Sequence, residues 1–124
     1  MKALEYYKPI DDFYKDAYAK LSSCYSFTEG QLDTMQLILE EWLTNLIKYS
    51  GFTYVNIWLE EIDKGTYKLS FEDDGIPFNP LTVGPKTDYT IPGGLGISIM
   101  KSYSKEFGYE YNEKNQRNTM YLIF

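Results

Sequence analysis

Hydrophobic positions along the chain change period several times, and each change marks an element. From about Asp11 to Tyr25, Phe13, Ala17 and Leu21 recur at four-residue steps with Tyr14 and Tyr18 beside them, which predicts a helix. Thr28 followed by Gln31 is a capping-box pattern, and Phe27 and Leu32 occupy the two positions of a hydrophobic staple. Behind this start Met35, Ile38, Leu39, Trp42, Leu43, Leu46 and Ile47 form a wide apolar stripe, so a second helix should run on to Gly51, where a left-handed stop fits. The period then drops to two. Val55, Ile57 and Leu59 alternate with Tyr54, Asn56 and Trp58, and Tyr67, Leu69 and Phe71 alternate with Lys68 and Ser70, across a turn at Asp63–Gly65.

Between Asp73 and Gly94 periodicity is lost and proline and glycine accumulate, which predicts a long loop of the kind that usually serves a function. A third helix is expected from about Leu95 to Glu106, with Phe107 continuing its four-residue stripe and Gly108 as its stop. Two last strands, Tyr109–Asn112 and Thr119–Phe124, should flank a polar turn. Helices and antiparallel hairpins in this order imply an α+β fold, a two-layer sandwich with helices on one face of a mainly antiparallel sheet. No repeat or linker divides residues 1–124, so one domain is expected.

Composition narrows the chemistry. Of 124 residues, 44% are apolar and 24% charged, a folding composition. A net charge of −6 speaks against direct nucleic-acid binding or attachment to an anionic membrane. No apolar run suits a membrane span or a signal peptide, and a cytoplasmic location is the expectation. The single cysteine, Cys24, permits no internal disulfide. The chain has no histidine, which removes histidine-based triads, histidine zinc sites and a phosphohistidine on this chain. Carboxylates, amides, hydroxyls, lysines and backbone groups remain.

Three segments collect them. Glu41 and Asn45 lie four residues apart on the second helix, with Lys48 a turn further: a proton acceptor, a ligand for a hard cation and an ammonium in one row. Asp73-Asp74-Gly75 ends a strand, and Gly93-Gly94-Leu95-Gly96 leads into a helix whose free N–H groups suit phosphate. Each has an ordinary alternative, namely a solvated helix face, a turn, or a flexible joint. Together, and in this order, they supply what a nucleotide triphosphate needs.

Written out, the segments are EEWLTNLIKY, DDGIPFNP and GGLGI. They resemble the N, G1 and G2 boxes of the GHKL superfamily of ATP-binding domains, and most nearly the anti-sigma-factor serine/threonine kinases of the RsbW type, over about residues 30–124. The resemblance implies a Bergerat-type fold that binds ATP with Mg2+. It implies that Asn45 holds the metal, that Glu41 acts as or positions the general base, and that Asp73 accepts a hydrogen bond from the adenine amino group. It further implies that Gly75 lets the adenine approach the backbone, that Gly94, Leu95 and Gly96 wrap the phosphates, and that residues Phe78–Pro92 form a lid. Lys48 and Tyr49 stand where relatives place phosphate-contacting side chains. Some relatives carry an arginine just before the glycines; here Pro92 and Gly93 stand there, and Lys86 and Lys101 are the cations nearest in sequence.

Two functions follow from the resemblance. One is a regulatory kinase that phosphorylates a protein antagonist and sequesters a sigma factor or similar regulator. The other is a non-catalytic, ATP-gated interaction module. The thirteen tyrosines fit either a homodimer or partner surface on the sheet, or aromatic filling of a small core.

Overall fold

The computed structural model describes residues 2–7, 13–78 and 95–124. In chain order the elements are β1 (Lys2–Tyr7), α1 (Phe13–Leu21), α2 (Glu29–Asn45), β2 (Tyr54–Asp63), β3 (Thr66–Asp73), α3 (Leu95–Tyr103), β4 (Glu106–Asn112) and β5 (Arg117–Ile123). The strands form one sheet in the order β1-β2-β3-β5-β4, every neighbouring pair antiparallel. This is the α+β architecture expected from the sequence.

Alternation decides which face is covered. Leu4, Val55, Ile57, Leu59, Leu69, Phe71, Met120 and Leu122 point to the helices and form one buried cluster with Phe13, Leu21, Met35, Ile38, Leu39, Leu43 and Met100. Tyr54, Trp58 and Tyr121 point the other way, with Tyr7 against Tyr54 at 5.2 Å between ring centres. No helix among the described residues is long and apolar enough to cross a membrane.

The ends of α2 are set by different means. At its start the capping box is complete: Gln31 N–H donates to Thr28 Oγ1 and Thr28 N–H to Gln31 Oε1, both at 3.1 Å. The Gln31 amide also donates to Gly65 O at 2.8 Å, tying the helix to the β2–β3 turn. At its end, residues Leu46–Ser50 widen into a π-helical turn before Gly51 stops it at φ 65°. The hydrophobic pattern gives no sign of that turn. Local widening of this kind re-aims the side chains that follow, and Ile47, Lys48 and Tyr49 are exposed on it.

Several boundaries differ from the sequence reading, and β4 and β5 begin earlier than expected, at Glu106 and Arg117. The first helix spans Phe13–Leu21, shorter than expected, and Asp11 lies outside the described residues. The third ends at Tyr103: Lys105 N–H already bonds Ile123 O at 2.7 Å, and Phe107 and Gly108 belong to β4. Phe107 mimics a helical spacing, yet it is a strand residue opposite Leu122. Gly108 is no helix stop. It faces Tyr121 across the ladder, and a β-carbon there would stand 2.1 Å from the Tyr121 ring. Cross-strand packing requires this glycine.

Candidate functional site

The β3 strand runs out at Asp73, beside the start of β2 and the end of α2. Here the two adjacent aspartates separate. Asp74 turns back to the β2 entrance, accepting from Thr53 N–H at 2.7 Å, from Tyr54 N–H at 2.9 Å and from the Thr53 hydroxyl, with Arg117 at 3.7 Å. Burial opposes its charge, but these donors prevail and hold the carboxyl below the usual range. Asp74 is a structural clamp.

Asp73 points inward and is 2% exposed. Its Oδ1 accepts from Gly75 N–H at 2.9 Å and from the Asn118 amide at 3.2 Å. Burial dominates, outweighing both donors and Arg117 and reinforced by the Asp74 charge, so the carboxyl rises from 3.8 to about 6. No described residue donates to Oδ2. A buried carboxylate with one oxygen satisfied and the other without a donor among the described residues can accept from a hydrogen-bond donor on a ligand.

Its surroundings come from β4 and β5, which sequence reasoning passed over. Asn118 pairs with Asp73 in the β3–β5 register and is 3% exposed. Its amide nitrogen also donates to Gly75 O at 3.0 Å and Ile76 O at 3.2 Å. Its Oδ1 accepts from the Tyr109 hydroxyl and, at 3.4 Å, from Phe78 N–H. A signal was present: Asn118 shares parity with Met120, Leu122 and Phe124, so a polar residue stood on the core side of a strand drawn too short.

The segment after Asp73 is locked to the end of α2. Ile76 N–H donates to Ser50 O at 3.0 Å, and the Phe78 ring lies 6.4 Å from Trp42. A β-carbon on Gly75 would meet Ser50 Cβ at 2.6 Å and Ser50 O at 2.8 Å. The glycine is thus needed for contact with the protein's own backbone, a requirement distinct from ligand approach. Ser50 holds its place by donating to Leu46 O at 2.7 Å and accepting from Phe52 N–H at 3.2 Å.

Glu41 and Asn45 are half-buried on the α2 stretch that carries Trp42, whose ring meets Phe78 in the segment after Asp73. Lys48 and Tyr49 are exposed on the π-helical turn. The third segment enters as the start of α3, whose Ile97 and Met100 join the same core. Gly93, Gly94, the expected lid beyond Phe78 and Lys86 lie outside the described residues, and for Leu95 and Gly96 only the helical backbone is described. Lys101 sits in the last turn of α3. A separate groove of about 390 Å³, lined by Gly30, Asp33, Thr34, Leu37, Ile99 and Tyr103, lies toward the other end of α2 and gathers no comparable polar set.

The family model of the histidine kinase-like ATPase domain matches residues 13–124. The chain belongs to that family. No curated protein matches it. The identification makes this an ATP-binding ATPase domain of GHKL type, and β1 lies N-terminal to the matched region. The domain's residues fit the base of such a nucleotide: Asp73 Oδ2 has no donor among the described residues, and the segment that follows it carries Ile76 and Phe78, apolar side chains 62% and 45% exposed. Among the described residues no three Asp, Glu, Cys or His side chains converge on a metal position. A hard cation here would be carried mainly by substrate phosphates and water, with one or two protein oxygens, as Mg2+ commonly is.

Proposed function

We propose that this ATPase domain is a regulatory serine/threonine kinase of the anti-sigma-factor, RsbW-like kind, which phosphorylates a protein antagonist and sequesters a sigma factor or similar regulator. The observation that carries the nucleotide half of this reading is Asp73, buried and with Oδ2 unmet by any described donor. The adenine amino group is a donor of the required kind. The Asn45 side-chain oxygen would ligate Mg2+, whose charge, when bound, offsets that of the phosphates. Lys48, Tyr49 and the backbone at Gly94, Leu95 and Gly96 would hold the phosphates.

The kinase half rests on Glu41. Its carboxylate, one helical turn before Asn45, would accept the proton of the partner's serine or threonine hydroxyl as that oxygen bonds to the terminal phosphorus and ADP departs. The sequence features that favour this over a histidine kinase are the DDGIPFNP and GGLGI segments.

The alternative is an ATP-gated interaction module with the same site and no transfer. One experiment separates them: incubation with Mg-ATP labelled at the terminal phosphate and the protein encoded by a neighbouring gene. The kinase reading expects label on a partner serine or threonine. It expects Glu41→Ala to keep ATP affinity while transfer falls about 10²–10⁴-fold. Saturable binding of intact ATP with no labelled partner would replace the kinase by the module.

A further inference from the structure

Tyr109 lies on β4, half-buried, opposite Met120. Its hydroxyl donates to Asn118 Oδ1 and accepts from Phe78 N–H at 3.2 Å. A carboxamide has a donor end and an acceptor end of nearly equal shape, so its orientation is set by what meets each end. On the acceptor end the only other described donor is Phe78 N–H, at 3.4 Å. Asp73 Oδ1, Gly75 O and Ile76 O hold the amide nitrogen from one end, and the Tyr109 hydroxyl is the nearest described donor that fixes the oxygen at the other.

That orientation has a chemical consequence. With the amide nitrogen and Gly75 N–H both on Oδ1, the remaining acceptor capacity of Asp73 is concentrated on Oδ2. Adenine presents an amino donor at its six-position, where guanine presents a carbonyl oxygen. A fixed, ionised acceptor welcomes the first and repels the second. If the amide turned over, its oxygen would face the carboxylate and favour a protonated Asp73, which can donate as well as accept.

We propose that Tyr109 is a positioning residue for nucleobase choice, acting through Asn118 on the Asp73 carboxylate. The inference rests on the reading of Asp73 as the acceptor for an adenine amine. The groups facing the carboxylate are Asn118, which does not titrate, Arg117, Asp74, whose hydrogen-bond donors hold its carboxyl below the usual range, and Tyr109. The Tyr109 phenol is itself raised, chiefly by burial and further by Asp73 and Tyr111, and so stays a donor throughout.

Calorimetric titration of ATP and GTP into wild type, Tyr109→Phe and Tyr121→Phe between pH 5.5 and 8 tests it. Tyr121 belongs to the same hairpin but points to the uncovered face, where its hydroxyl meets Glu106 at 3.2 Å, and its loss should leave binding unchanged. Tyr109→Phe should weaken ATP about 5- to 10-fold at pH 7, the scale of one net hydrogen bond, while GTP is not weakened. The pH at which ATP affinity declines should also move upward. A merely structural role would weaken both nucleotides alike and leave that midpoint in place, and such a result overturns the inference. ATP binding absent from the wild type overturns the reading of Asp73 as well. Should Tyr109→Phe fail to fold, the wild type labelled with ¹³C at the tyrosine Cζ decides: the Tyr109 signal should shift with ATP, and an unmoved signal overturns the proposal.

Discussion

The two halves of the candidate site are built differently. Around Asp73 nearly every polar group is spoken for: Gly75, Asn118, Tyr109, Phe78 and Ser50 are joined by hydrogen bonds or close backbone contact. Along α2, Glu41 and Asn45 are half-buried and Lys48 and Tyr49 stand in solvent. The base end is finished before any ligand arrives, and the phosphate end presents groups that still have to be gathered. Pre-organisation therefore favours base discrimination, while triphosphate affinity must bear the ordering cost of flexible side chains.

The sharpest way to break this contrast is Asp73→Asn. Removing the ionised acceptor should lower ATP affinity about 100-fold, since hydrogen bonds to charged groups are the strong ones. The free domain should respond in the opposite sense. With a native value of about 6 against 3.8, the folded chain binds more protons than the unfolded chain between those limits. Wild-type stability should therefore fall as pH rises through that window, by about 2–3 kcal/mol in all. The variant should lack this decline and be the more stable protein at pH 8. Urea titrations at pH 4 and 8, with and without ATP, read both effects, and a variant less stable than wild type at pH 8 would contradict a finished, strained base end.

Gly75→Ala comes next. The added carbon has backbone as well as side chain in its way at Ser50, so relief by rotation is closed and about 1–3 kcal/mol of stability should be lost. An equilibrium denaturation curve within error of wild type would show the junction to be looser than described. The smallest effect on the free fold is expected for Asn45→Ala, within about 0.5 kcal/mol by the same denaturation. ATP affinity with Mg2+ should nevertheless drop about tenfold, and without Mg2+ hardly at all, because a single protein oxygen is withdrawn from a cation held mostly by phosphates and water. A magnesium-independent loss would reassign Asn45.

What can be read from the sequence is whatever depends on near neighbours. Thr28 and Gln31 are three residues apart, and the cap they form is there; Gly51 adopts the left-handed turn its position suggests. Alternation in 54–59 and 67–71 is enough to place β2 and β3, because every second residue meets the same core. The misses all involve partners distant in sequence. Nothing near Gly108 announces the Tyr121 ring, and nothing near Asn118 announces Asp73, 45 residues away. The π-helical turn ends at Ser50, which docks against Gly75 and Ile76, partners about 25 residues further along the chain. Within the site, motif residues are legible and the groups that orient them are not, since sheet register decides the latter.

The tight fit between Ser50 and Gly75 constrains how such a domain can be remodelled. Because the helix tail and the strand exit share one joint, neither can be exchanged alone: a donor loop grafted after β3 must arrive with a matching residue at the end of α2. Libraries that vary 46–50 and 73–76 together should yield folded members far more often than libraries that vary either stretch by itself.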